Sequence, residues 1–182
     1  MLLALLCVLT GCTTRGTKDR NDTVRTSNIV KFSRTEIKDD AMFTARMIDD
    51  GLFQVEAAKL VSKRAHADDV HQLGQLMLED YTESNKQLRR IANNLNISFP
   101  VAVGSDNQRD LDELRKKNGV PFDEAYTAMM VNRIQAMIDG FTQESQIGND
   151  PTIRKWATDK IIVLQMDLEM ATRAKTAVNR ER

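Results

Sequence analysis

This chain has almost no cysteine. Of its 182 residues only Cys7 and Cys12 are cysteines, so the body beyond residue 12 forms no internal disulfide and offers no thiolate to a metal. Histidine is equally scarce. His66 and His71 are the only two, and no Glu-x-x-His pair exists. Di-iron bundles need such i, i+3 pairs, with further carboxylates, to aim two ligands at one metal. Neither histidine lies on an apolar stripe, where a base would have to sit to activate a serine or threonine. Glycine occurs eight times and proline three, without a glycine-rich phosphate loop. Aromatics make up 5% of the chain, and no basic patch interleaved with aromatics occurs in the body, which argues against nucleic-acid binding. Formal net charge is zero. After the first residues no apolar run approaches bilayer length.

What is present begins at once. Leu2 to Leu9 form a short apolar run that ends in Leu9-Thr10-Gly11-Cys12. An aliphatic residue, two small residues and a cysteine form the pattern read by bacterial lipoprotein signal peptidase. The thiol accepts a diacylglyceryl group, the small residues let the protease reach the bond before Cys12, and the new amino terminus is usually acylated. Two or three acyl chains, at about 0.8 kcal/mol per buried methylene, anchor a protein firmly where one holds it marginally. Residues 1–11 are thus expected to be a signal peptide and Cys12 the lipidation site. The alternative is an ordinary secretory signal, or a buried helix start, with an incidental cysteine. No basic residue precedes the run, as a signal peptide normally requires, so Met1 is compatible with a start inside a longer signal. Thr13 follows the lipid cysteine; an Asp there would retain an enterobacterial lipoprotein at the inner membrane. The expected location is the periplasmic face of the outer membrane of a Gram-negative cell envelope, with the membrane as a partner through lipid at Cys12.

From Thr13 to Lys38 the chain carries Thr, Ser, Asn and charge with few apolar residues. Seven bases stand there against three acids, a net of +4 that the rest of the chain offsets with −4. Residues 12–38 therefore read as the lipidated cysteine and a flexible basic tether, suited to lying along anionic lipid.

Residues 39–182 read as one all-α domain without a convincing strand. Asp39-Asp40 suits a helix amino terminus, and the first long helix is expected to run to about Ala65, striped by Ala45, Ile48, Leu52, Val55 and Ala58. Asp68-Asp69 opens the second, to about Leu95, with Val70, Leu73, Met77, Tyr81, Ser84, Leu88, Ile91 and Leu95 on one face. Asn96 to Ser105 is a crossover holding Pro100 and Gly104. A short helix follows over about Asp106 to Lys117, ending at Asn118-Gly119. The third long helix spans about Phe122 to Ile147, striped by Tyr126, Met129, Arg133, Met137 and Gly140. Gly148-Asn149-Asp150-Pro151 is a stop and restart with Asp150 as N-cap. The last helix reaches about Val178, striped by Ile153, Ala157, Lys160, Leu164, Asp167, Ala171, Ala174 and Val178. Four long helices with a crossover after the second give a ferritin-like four-helix bundle carrying a short extra helix in that crossover. An up-down-up-down bundle is the alternative.

Several segments resemble a known family. Gly51-Leu52-Phe53-Gln54-Val55-Glu56, Met77-Leu78-Glu79-Asp80-Tyr81, Gly119-Val120-Pro121-Phe122-Asp123-Glu124-Ala125-Tyr126 and Asp167-Leu168-Glu169-Met170-Ala171 are similar to the bacterial exported "predicted outer membrane protein" family of unknown function. The resemblance covers about Asp39 to Lys175 and implies a ferritin-like four-helix bundle. It also implies histidines at three interior helix positions, where this chain has Tyr81, Arg133 and Asp167, and a glutamate where it has Gln54. The chain reads as a divergent member in which a family metal site is not expected to survive.

The remaining candidates weigh toward structure. Asp68 and His71 share an i, i+3 spacing, but at a solvated helix start. Glu79-Asp80 are adjacent on a helix and point apart, which suits a solvated face better than an acid/base pair. Met77, Met129 and Met137 sit on core stripes, where adaptable packing is preferred over copper binding. Tyr81, Arg133 and Asp167 are expected to form an interior polar network, with Arg133 donating to Asp167. The alternative places both charges at the stripe edge, reaching solvent. No catalytic constellation, cofactor or metal site is read. The functional expectation is a non-enzymatic envelope lipoprotein acting through its surface in envelope maintenance or stress adaptation. The rival expectations are a metal-binding or redox ferritin-like protein and a subunit of an envelope or secretion assembly, whose partner the sequence does not name.

Overall fold

A computed structural model of the chain describes residues 20–180. Six helices account for most of them: α1 (Arg20–Lys31), α2 (Lys38–Arg64), α3 (Asp68–Asn94), α4 (Ser105–Arg115), α5 (Val120–Ile147) and α6 (Pro151–Arg180). No strand occurs among the described residues.

The helix boundaries follow local chemistry. Asp150 Oδ1 accepts from the backbone N–H of Thr152 at 2.8 Å and of Ile153 at 2.9 Å, so α6 has the side-chain cap its sequence called for. Asn96 closes α3 with φ at +55°, and the Ile97 N–H reaches back to the Ala92 carbonyl at 2.8 Å. Asparagine tolerates that left-handed conformation. Gly119 precedes α5 with φ at +60° and donates its N–H to the Arg64 carbonyl at 2.7 Å. A side chain there would be strained. Pro121 then sits in the first turn, Phe122 and Tyr126 are fully buried, and their rings stack at 5.7 Å.

The long helices α2, α3, α5 and α6 form the bundle. Its ring of neighbours runs α2–α3–α6–α5 and back to α2, while α3 and α5 are not among the principal packing pairs. That order is the ferritin-like crossover arrangement; in an up-down-up-down bundle α3 and α5 would be neighbours. Glycines on both helices let α2 and α3 pack closely. A methyl group at Gly51 would come within 2.4 Å of the Asn85 side chain, and one at Gly74 within 2.7 Å of Val61.

The two hairpins repeat each other. Buried Asp40 on α2 accepts from the backbone N–H groups of Asn149 and Asp150, just before α6. Buried Asp123 on α5 accepts from those of His66 and Ala67, just before α3. Each acid of one hairpin therefore caps the turn of the other. Asp40 and Asp123, Asn149 and His66, and Asp150 and Ala67 are separated by the same interval in the chain, as are the buried pairs Thr44 and Thr127, Met47 and Met130, and Val70 and Ile153. The sequence reading missed this repeat because the shared positions are few and scattered over the 83-residue interval.

Two expectations need correction. Residues 20–38, read as a flexible tether, carry α1 and a turn docked on the bundle. Asn28 is fully buried; its Nδ2 donates to the Ser98 carbonyl at 2.8 Å and its Oδ1 accepts from the Ser98 N–H at 2.9 Å. Phe32 is buried beside it and Lys31 Nζ reaches the Asn96 carbonyl. One asparagine satisfying a backbone amide and one phenylalanine dock a helix that composition alone marks as spacer. The apolar stripes are also displaced along the helices. Leu52 and Val55 on α2, Ser84 and Ile91 on α3, Leu95 just after it, Met129 and Gly140 on α5, and Lys160 on α6 are only partly buried, and the core instead takes Phe53, Ala57, Asn85, Ala92, Met130, Ile134, Phe141 and Trp156. A strict heptad drifts about 20° from a straight helix every seven residues, so the stripe slips sideways along helices this long. Cys12 and the 1–11 segment lie outside the described residues.

Candidate functional site

The sequence pointed to Tyr81, Arg133 and Asp167 as one interior network. The structure divides them between two sites.

Tyr81 and Asp167 face the same small cavity at the centre of the bundle, about 20 Å³, space for a single water. Tyr81 is 4% exposed, and its hydroxyl donates to the Met137 sulfur at 3.7 Å; Gln54 Nε2 reaches the same sulfur at 4.0 Å. A thioether is a weak acceptor, and the Gln54 carbonyl oxygen has no partner among the described residues. Burial, and then the charges of Asp167 and Asp80, push the Tyr81 hydroxyl well above the usual phenol range. Asp167 is 2% exposed. Asp80, partly buried on α3, lines the same cavity. Burial, followed by the Asp80 charge and a side-chain hydrogen bond with Asp80, pushes the Asp167 carboxyl up to about 7, with Lys160 pulling the other way. The sequence reading placed Asp80 on a solvated face beside Glu79. Glu79 is exposed, but Asp80 turns inward. Its signal was its position, three residues after Met77 and so on the edge of the α3 stripe.

Arg133 does not meet Asp167. It sits one residue off the core line of Met130, Ile134 and Met137, with its side chain 21% exposed. The guanidinium lies 3.8 Å from the centroid of the Phe53 ring, donates to Asn107 Oδ1 at 2.9 Å and to Asp110, and stands 3.8 Å from Asp50. Asn107 in turn donates to Asp49 at 2.9 Å, and the Gly104 N–H donates to Asp49 at 2.7 Å. Burial raises the Asp50 carboxyl, opposed by the Asn107 hydrogen bond and the Arg133 charge. The cluster pins α4 and the crossover against α2 and α5. Asn107, Asp110 and Asp49 were not anticipated, because nothing local in the sequence says which helix a short surface segment will cover.

The other candidates stay at the surface. Asp68 and His66 are exposed and His71 is partly so. Met77 and Met137 are core residues, whereas Met130 takes the buried place expected of Met129. Among the described residues no three His, Cys, Asp or Glu side chains converge on one point, and no helix is long and apolar enough to cross a membrane. Asp80, Tyr81 and Asp167 gather at the small interior cavity, and the Arg133 cluster fastens the crossover.

No curated protein and no solved structure gives a significant match to the chain. A family model does match, over residues 31–174, and it covers α2, α3 and α5, most of α6 and both clusters. The chain belongs to the family described as a domain of unknown function, DUF4142.

Proposed function

We propose that this protein is a non-enzymatic lipoprotein, held at the periplasmic face of the outer membrane by lipid on Cys12, whose bundle acts through its surface in envelope maintenance or stress adaptation. The observation that carries the reading is Leu9-Thr10-Gly11-Cys12 at the end of an apolar run. The fold is compatible with such an anchor. α1 begins at Arg20, and at 3.3–3.6 Å per residue the intervening chain spans at most about 30 Å, so the bundle would stay close to the lipid surface. The interior adds a second support. Gln54, Tyr81 and Asp167 are buried at positions where the resemblance drawn from sequence implies a glutamate and two histidines, in keeping with a divergent member of that family.

The test is metabolic labelling of wild-type protein carrying its full signal. Labelled palmitate should enter the protein and partition with membranes, and Cys12→Ser should lose both label and membrane association. Wild-type protein that takes up no label ends the lipoprotein reading. Crosslinking in intact membranes then separates a solitary tethered bundle from a subunit of an envelope assembly.

A further inference from the structure

One face of α1 keeps apolar side chains in solvent. Val24, Asn28 and Phe32 step inward by fours and dock the helix on the bundle, with Asn28 and Phe32 buried. The residues between them turn outward. Val30 is 70% exposed and Ile29 38%, among the exposed bases Arg25, Lys31 and Arg34. Val101 is also 70% exposed, in the crossover whose Ser98 pairs with Asn28. Pro100 beside it shares a cavity wall with Val24 and with Ile147, another exposed aliphatic residue at the end of α5. Four of the seven large apolar side chains exposed among the described residues thus gather around this helix. Scattered singly they would need no explanation; grouped and rimmed by charge they mark a contact surface.

The placement of α1 puts that surface on the flank of the bundle. A methyl group on Gly104 would meet both Asn21, at the start of α1, and Asp49 on α2. The other end of α1 runs through a short turn into Lys38, where α2 begins. From Lys38 to Asp49 is about 16 Å along α2, and α1 is itself about 16 Å long, so the two helices run antiparallel side by side. Diagonal to α2 in the ring stands α6, which carries the exposed pair Ile162 and Met166 on the far side of the bundle.

We infer that the α1 flank is a membrane-docking surface. Ile29, Val30 and Val101 enter the interface of an anionic bilayer, Arg25, Lys31 and Arg34 meet lipid phosphates, and the bundle lies on its side. The inference rests on the lipid-anchor reading, which leaves only seven residues between Cys12 and Arg20. Charge favours the same partner, because residues 13–38 carry a net +4 that the rest of the chain offsets with −4. Each base held near an anionic surface strengthens binding about fivefold. A few aliphatic side chains bind a bilayer weakly by themselves, and the tether raises their effective concentration at the surface.

The test uses residues 12–182 with Cys12→Ser, a chain without lipid and without any other cysteine. It should float with vesicles of phosphatidylcholine containing about a third phosphatidylglycerol, and not with phosphatidylcholine alone. Val30→Asp should lower the partition about tenfold or more, as should Arg25→Ala combined with Arg34→Ala. Met166→Asp should change nothing. All four positions are exposed, so a loss reports on the surface and not on the core. A solvent-sensitive fluorophore on Val30→Cys should shift to the blue on anionic vesicles, and one on Met166→Cys should not. Binding to neither composition gives the face to a protein partner and overturns the proposal. Equal binding to both compositions, or a Val30→Asp protein that partitions as wild type does, overturns it too. Palmitate labelling without vesicle binding ends the docking surface alone, and vesicle binding without labelling ends the anchor alone.

Discussion

Asp167 should make the protein less stable as pH rises, and replacing it should reverse that. The carboxyl is 2% exposed, leans on Asp80, and is pushed up to about 7 from an ordinary value of 3.8. Between those values the folded protein keeps a proton that the unfolded chain has released. Stability then falls with rising pH across roughly pH 4 to 7, because the native state binds more protons there, and levels off above 7. About three pH units at about 1.4 kcal/mol each set an upper bound of about 4 kcal/mol. Asp167→Asn keeps the shape, cannot ionise, and offers an amide N–H to Asp80. The expected outcome is near equality with wild type at pH 4, within about 0.5 kcal/mol, and a gain of about 2–4 kcal/mol at pH 8. Urea unfolding followed by the fluorescence of Trp156, the only tryptophan, buried 5.3 Å from the Phe141 ring, measures both. Glu144 contributes a fall of the same sign between its ordinary 4.5 and about 7, but it is present in both proteins and cancels in the difference. An Asp167→Asn protein less stable than wild type at pH 8, or one shifted equally at both pH values, would refute the reasoning.

Other outcomes follow from the same geometry. Arg133→Met should cost about 2–3 kcal/mol, from charged hydrogen bonds to Asn107 and Asp110 and the cation–π contact on Phe53; combined with Asp167→Asn it should be additive within about 0.5 kcal/mol in urea titrations, since the two residues sit in separate clusters. Asp123→Ala leaves the His66 and Ala67 amides without their acceptor and should cost about 2–3 kcal/mol, and Asp40→Ala should match it at the other end of the bundle; a loss under about 0.5 kcal/mol in either would contradict the reciprocal capping. Limited proteolysis should leave a resistant fragment that begins near Arg20 rather than Asp39, and early cleavage between Arg20 and Lys31 would show that α1 does not stay docked.

The sequence alone determined the long helices and their ends. Asp150 as an N-cap, Pro151 behind it, Asn118-Gly119 before α5 and the acidic pair opening α3 are local instructions, satisfied within a few residues of themselves, and the four long helices fall within a residue or two of the places these signals mark. The crossover was legible because Pro100 and Gly104 interrupt two strong periodicities. Tertiary structure decided everything that depends on which face meets which. α1 is too polar to announce itself, and only the Ser98 backbone it covers makes Asn28 and Phe32 worth burying. Arg133 and Asp167 looked paired because each stepped along its own stripe by threes and fours; over helices of this length the stripe turns with the 3.6-residue repeat, which carries Asp167 into the core and leaves Arg133 one position outside it, within reach of Asp110 on a helix whose location no local signal gives. The burial of Glu144 belongs to the same class. A glutamate late in α5 reads as surface until Asp40, Arg154 and α1 close around it, because burial is a property of the assembly of helices and not of any one of them.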